Sequence, residues 1–399
     1  MSAPRRVHYL DHAATTPVRE VALRAHAEAC REVGNASSLH GSGRRARRRV
    51  EEARESLAEL LGCRPSDVVF TSGGTESDNL AVLGQARARG GGLVAVGATE
   101  HHSVLDAAAH LGATGEAEVR VLPVDGLGAV DTEAVRALVE EEGERLTLVA
   151  TMLANNEVGT VSDVATVAEL VRPTGAAVHC DAIQAVGHLP VDVSALEVTS
   201  LSLSAHKFGG PMGVGALVLD RGSPCRPVGF GGGQERDLRS GSVDVPGVVA
   251  MAAALREAVA ERESEAVRLA ALRDRLVDGV RHAVPGAVVN GGDAGWGRHP
   301  GIADLGFPGC SGESLILLLD AAGVECSTGA ACTAGVAEPS HVVLALGGDE
   351  AAARSCLRFG LGHTSTEDDV DAVLAVIGPA VERARAAGTA LAGLRGAAR

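Results

Sequence analysis

The chain has 399 residues, 51 acidic against 36 basic side chains for a formal net charge of −15, and 46% hydrophobic against 22% charged residues. That length allows two domains with a large core, the balance of hydrophobic to charged residues excludes a disordered chain, and the negative charge argues against a general nucleic-acid or membrane-surface binder. Aromatic residues are 2% of the chain, so its cores have to be built from Ala, Val and Leu.

The first ten residues contain no apolar stretch of signal-peptide length and nothing later reaches the length of a membrane span, so a cytoplasmic protein is expected. Residues 21–61 read as helical apart from a polar loop at 34–38. The basic run Arg44–Arg49 leads into Val50-Glu-Glu-Ala-Arg-Glu, whose acids can pair with it, so a solvated helix face is expected there and not a nucleic-acid contact. The pattern then changes to short apolar runs at 68–71, 93–96, 119–122, 146–153, 177–180, 200–203 and 214–219. Helical segments separate several of them, for example 132–142 and 164–172. Strands alternating with helices imply an α/β fold whose mainly parallel, seven-stranded sheet is covered on both faces, in a large domain over residues 16–250. After Pro246 a long amphipathic helix is expected over 251–284, with Leu255, Val259, Leu269, Leu272, Leu276 and Val280 along one side. It would bridge to a smaller α+β domain made of residues 1–15 and 251–399. There the pattern gives strands near Val288 and Ala303, a helix at 313–322, a Gly- and Cys-bearing loop at 327–335, a further segment at 354–361 and a C-terminal helix from Glu367. The eight cysteines form no C-x-x-C pair, which indicates neither a zinc site nor a disulfide framework.

Lys207 is the only lysine in the chain; every other one of the 36 basic residues is arginine. A guanidinium stays protonated, whereas a lysine amine can lose its proton and attack a carbonyl, so the exception has chemical meaning unless it is a chance surface residue. The lysine follows a strand and precedes Gly209-Gly210-Pro211, the strand-end position where α/β proteins keep their sites. Ser72-Gly-Gly-Thr75, between a strand and a helix, can cradle an anion with free N–H groups, the helix dipole and a hydroxyl, although such a turn can also serve packing alone. It lacks the spacing of a nucleotide or dinucleotide loop, so the anion should be smaller. Asp181 stands at the end of another strand, with Gln184 three residues on. An anion cradle, a strand-end carboxylate and a unique lysine are together what pyridoxal 5'-phosphate needs: a phosphate site, a partner for the pyridine nitrogen and a Schiff-base amine.

The segments Tyr9-Leu-Asp-His-Ala-Ala-Thr-Thr-Pro17, Phe70-Thr-Ser-Gly-Gly-Thr-Glu-Ser-Asp-Asn79, Thr99-Glu-His101, Asn155-Asn-Glu-Val-Gly159, Asp181-Ala-Ile-Gln184, Ser204-Ala-His-Lys207, Gly231-Gly-Gly-Gln-Glu-Arg236, Arg239-Ser-Gly241, Cys332-Thr333 and Glu338-Pro-Ser340 resemble, in order, those of the cysteine desulfurases. The resemblance runs from residue 8 to about residue 375. It implies a fold-type I, class V pyridoxal phosphate enzyme working as a homodimer with its sites at the subunit interface. It also implies conversion of L-cysteine to L-alanine with a persulfide left on the enzyme for a protein acceptor, as in iron–sulfur assembly or tRNA thiolation. Carried over position by position, it makes Lys207 the Schiff-base lysine and Asp181 the partner of the ring nitrogen. Gln184 and Asn156 would lie on the ring oxygen side, and His101 would stack on the ring and move protons. Gly74, Thr75, Ser204 and His206 would hold the phosphate, and Ser242, where the family has threonine, would reach the phosphate of the other subunit. Arg358 would clamp the substrate carboxylate together with Asn156. Cys332 would be the nucleophile that takes the sulfur. No metal is implied, and no direct contact with nucleic acid or membrane.

Three departures touch loop shape more than chemistry: Ala36 where proline is usual, Phe208-Gly209, and Met212. Cys326, six residues before Cys332, is expected to be structural, with a disulfide that traps the nucleophile as the alternative. Another class V lyase, such as a selenocysteine lyase, is the competing reading, and Cys332 is the residue that argues against it.

Overall fold

The computed structural model describes residues 6–292, 297–329, 332–333 and 336–397; the side chains of 332–333, 336–337 and 388–397 lie outside that description. The apolar runs form one seven-stranded sheet in the order Val68–Thr71, Gly215–Leu219, Ser200–Ser204, Ala177–Asp181, Leu146–Met152, Leu93–Gly97 and Glu118–Leu122. Only Gly215–Leu219 runs antiparallel to its neighbours. Six of these strands are buried almost throughout, as near-continuous Val, Leu and Ala runs covered on both faces should be. The edge strand Glu118–Leu122 mixes Glu118 and Arg120 with its valines and leaves Val121 57% exposed. Helices Gly41–Leu61, Thr132–Glu142, Val164–Val171 and the first part of Val245–Ala283 cover the sheet and share its main core. Helices Gly74–Ala88 and His102–Ala113 close a second cluster on it with Val94, Val96 and Leu148.

The long helix spans Val245–Ala283, six residues earlier at its start than the periodicity gives. Asp244 caps it by accepting the Gly247 N–H at 3.1 Å, and Pro246 falls in the first turn, where a missing N–H costs nothing. At 39 residues it is about 58 Å long. Val248, Met251, Leu255 and Ala258 sit in the main core, whereas Leu269, Leu272, Leu276 and Val280 sit in a separate one. That second core is built on an antiparallel sheet ordered Cys356–Gly360, Ile302–Gly306, Val288–Asn290, with helices Gly312–Asp320 and Glu367–Ala397. The amino-terminal strand His8–Tyr9 pairs in parallel with Val324–Glu325 and sends Leu10 into the same core.

Other differences from the sequence pattern are local. The run at 146–153 ends as a strand at Met152, the last residue registered against the neighbouring strand, opposite Asp181. The segment at 327–335 is not loop throughout: Cys332–Thr333 pairs antiparallel with Val336–Ala337. In the basic run, Arg49 bonds Glu28 and Glu32 while Arg48 lies near Glu52. Among the described residues, no helix is long and apolar enough to cross a membrane.

Candidate active site

Strand direction in the large sheet brings the C-terminal ends of Val68–Thr71, Leu93–Gly97, Leu146–Met152, Ala177–Asp181 and Ser200–Ser204 to one edge, where α/β sheets hold ligands. A cleft of about 310 Å³ opens there, and Gly74, Thr75, His101, Asn156, Asp181, Gln184, Ser204, His206, Lys207 and Arg358 all line it. Ser242 does not. It is exposed, and its carbonyl takes a long contact from Arg239.

Lys207 ends a short turn, Ala205–Lys207, directly after its strand. Its amine donates to the carbonyls of Ala13 at 2.5 Å and Ala14 at 3.0 Å, on the segment that arrives from the smaller core. Burial, and then Arg358, lower the amine to about 8, while Asp181 and Asp11 oppose the fall. An amine so poised gives up its proton near neutrality, as a nucleophile needs.

The anion cradle is built by exclusion of side chains. Gly73 has φ of +149°, and a Cβ on Gly74 would lie 2.2 Å from the Ile183 side chain. The N-terminus of helix Gly74–Ala88 has no side-chain cap, so its N–H groups are available to a ligand. Around it stand the hydroxyls of Thr75 and Ser204 and the ring of His206, whose Nδ1 is buried without a partner among the described residues. Burial, then Lys207, hold the His206 ring down to about 4. Asp181 is 5% exposed and accepts only the Ile183 N–H, at 2.9 Å; among the described residues no side chain hydrogen-bonds it. Burial first, then the nearby Asp78, push its carboxyl well above the usual range. A buried acid of this kind calls for a cationic partner, and a protonated ring nitrogen supplies one. Cradle, acid and amine therefore fit pyridoxal 5'-phosphate.

His101 caps helix His102–Ala113, its Nδ1 taking the Ser103 N–H at 3.1 Å. Gln184 donates to the Ala13 carbonyl at 2.7 Å, tying the amino-terminal segment to the cleft wall. Arg358, the expected carboxylate clamp, is already engaged: Nη1 donates to the Asn156 carbonyl at 3.0 Å, Nη2 pairs with Asp11 at 2.9 Å, and Nε is buried without a partner among the described residues. Asp11 falls within the Tyr9–Pro17 motif, which gives it no role. The residue that holds the guanidinium lies 347 positions away, and no spacing in the sequence announces it.

The Cys332 thiol lies outside the described side chains, but its flanks are anchored at the cleft. Ser327 and Arg358 exchange backbone hydrogen bonds at 3.2 and 2.7 Å, and Gly329 lines the cavity. On the other side Ser340 donates to the buried Glu157 at 2.6 Å. Burial pushes the Cys326 thiol up to about 12, and Cys63 and Cys225 reach the same value for the same cause. Burial also raises Cys180, Cys310 and Cys356.

The sequence profile of the aminotransferase class-V family matches residues 8–373. An "IscS-like cysteine desulfurase" of Mycobacterium tuberculosis is 51% identical over 390 residues, covering 96% of this chain and 99% of that one. Among solved structures, a "NifS-like protein" superposes with a TM-score of 0.87 at 36% identity, covering 95% of this chain and 100% of its own. Another, "SspA in complex with cysteine", does so with a TM-score of 0.78 at 28% identity, covering 90% and 100%.

Proposed function

Because the chain belongs to the aminotransferase class-V family, in which it is a cysteine desulfurase of fold-type I, we propose that its cleft holds pyridoxal 5'-phosphate between Lys207 and Asp181 and passes the sulfur of L-cysteine to Cys332. The convergence of the unique lysine, the buried acid and the glycine cradle in one cavity carries this reading. When bound, the cofactor supplies an aldehyde that takes up a primary amine and a ring that accepts electrons.

The protein's own groups divide the remaining work. Gly74, Thr75, Ser204 and His206 hold the phosphate, and Asp181 keeps the ring nitrogen protonated. Gln184 and Asn156 fix the ring oxygen side. Arg358, at the cleft wall, clamps the substrate carboxylate, and Asn156 assists. His101, whose affinity for a proton is lowered by burial, accepts and returns protons, and Lys207 does so at the amine end. The Cys332 thiolate attacks the substrate sulfur. The carbon–sulfur bond breaks as the sulfur–sulfur bond forms, its electron pair stays with carbon, and a proton added there releases L-alanine and leaves a persulfide. A sulfur-acceptor protein then receives the outer sulfur.

The same proposal makes the enzyme a homodimer in which Ser242 reaches the partner's phosphate. Leu39 and Phe230, 88% and 87% exposed, are apolar surface that a second subunit can cover. The free thiols suit a reducing compartment, here taken as the cytoplasm. Purified protein given L-cysteine and a thiol reductant should form equal alanine and sulfide, with a visible cofactor band that shifts on substrate addition. A band without alanine would point to another amino-acid substrate, and no band would remove Lys207 from its role.

A further inference from the structure

Behind His101 lies a run of buried polar groups that the reaction above leaves unused. His101 Nδ1 takes the Ser103 backbone N–H at 3.1 Å and also lies 2.8 Å from the Ser103 hydroxyl. The Ser103 hydroxyl is 2.6 Å from one oxygen of Asp78, and the other oxygen is 3.2 Å from His179 Nε2. Asp78 and His179 are both 0% exposed.

The hydrogens in this run follow from its far end. The Gln85 amide donates to Ser200 Oγ at 2.8 Å, and its carbonyl oxygen accepts from Ser223 at 3.4 Å, which orients the amide. Ser200 then gives its own hydrogen to His179 Nδ1 at 2.9 Å, so His179 carries its proton on Nε2 and donates to Asp78. The second Asp78 oxygen takes the Ser103 hydroxyl hydrogen. Ser103 Oγ is left with a lone pair facing His101 Nδ1.

Two donor–acceptor arrangements therefore meet at one ring nitrogen. When His101 is neutral with its hydrogen on Nε2, Nδ1 accepts the Ser103 N–H. When His101 is protonated, its Nδ1–H has the Ser103 hydroxyl oxygen as acceptor, already polarised by Asp78. We propose that Ser103, oriented by Asp78, is a positioning residue that lets His101 hold and release a proton without turning its ring. This rests on the reading of His101 as the proton carrier of the desulfurase. The surroundings give the relay something to oppose. Burial, Lys207 after its strand, His102 on the same helix and His341 on helix His341–Ala345 all disfavour the cation, while Asp78 favours it. Glu100, the residue before His101, is spent elsewhere: its side chain accepts the Met152 N–H, and its carbonyl meets His341.

The test uses the full-length holoenzyme with 15N-labelled histidine, the His101 ring signals being assigned by their loss in His101→Gln. Ser103→Ala should lower the His101 titration midpoint by about one to two pH units, the worth of one hydrogen bond to a charged group, and move the acidic limb of kcat the same way. Ser103→Thr should restore both, and Asp78→Asn should reproduce the fall. If Ser103→Ala leaves the midpoint in place, or Ser103→Thr fails to restore it, the relay is overturned, and the Ser103 pair decides even if Asp78→Asn does not fold. Wild-type enzyme that made no alanine from cysteine would instead sink the desulfurase reading, and the ring titration would still judge the relay.

Discussion

The large sheet and the small one furnish the cleft in different ways. Thr75, His101, Asn156, Asp181, Ser204, His206 and Lys207 all lie at, or a few residues past, the end of a large-sheet strand. The small sheet contributes Arg358 from the middle of Cys356–Gly360, and the flanks of the Cys332 segment reach the cavity beside it. Groups of the first kind are carried by their own strand and turn. The second kind depends on contacts between distant parts of the chain, Arg358 with Asp11 and Ser340 with Glu157. What the large sheet supplies is fixed locally; what the small sheet supplies is fixed by how the two cores meet.

Substitutions can break this contrast. Lys207→Ala should abolish both turnover and the visible cofactor band, because on the proposed reading the Schiff base needs its amine, whereas Cys332→Ser should abolish alanine formation and keep the band. Loss of the band in Cys332→Ser would mean that the two contributions are not separable. Arg358→Lys removes the planar fork but keeps the charge; KM for L-cysteine should rise roughly 10- to 100-fold with the cofactor spectrum intact, measured by steady-state alanine release. Ser340→Ala leaves the buried Glu157 oxygen without its hydroxyl donor and should cost about 1–3 kcal/mol in thermal or denaturant unfolding. Persulfide formation in that variant should slow while the cysteine concentration for half-maximal spectral change stays the same.

A pH-dependent effect is expected where the two cores touch. His12, His188, His299 and His363 cluster there, and burial is the main cause lowering all four, His12 to about 3 and His363 to about 4. A histidine depressed in the folded state contributes stability that is complete above its unfolded value near 6.5 and is lost as pH falls through the interval below it. Melting temperature measured from pH 7 to pH 4 should therefore decline. His12→Gln should flatten the decline without affecting the cofactor band at pH 7.

The same division explains what could be read from the sequence. Val68–Thr71, Ser72-Gly-Gly-Thr75 and helix Gly74–Ala88 are contiguous, so strand, turn and helix signals coincide and the cradle is visible as a motif. Lys207 announces itself by being the only lysine. The start of Val245–Ala283 was obscured because Pro246 reads as a break, although a proline in a first turn is no obstacle. Asp11, Ser103 and Glu157 could not be assigned roles, since a hydrogen bond across the fold leaves no periodic trace. Ser103 sits two residues from His101, yet only the three-dimensional approach of Asp78 gives its hydroxyl a purpose.

The long helix sets a dimension as well as joining two cores. Its residues up to Ala258 are packed in one core and those from Leu269 in the other, and the stretch between them includes the exposed Glu261, Glu263 and Val267. That stretch works as a ruler. One inserted residue would advance everything beyond it by about 1.5 Å and rotate it by about 100°, carrying Arg358 out of register with Lys207 though neither had been touched. Homologous enzymes that keep this chemistry should vary unpaired positions of the ruler such as Val267 freely and its length hardly at all.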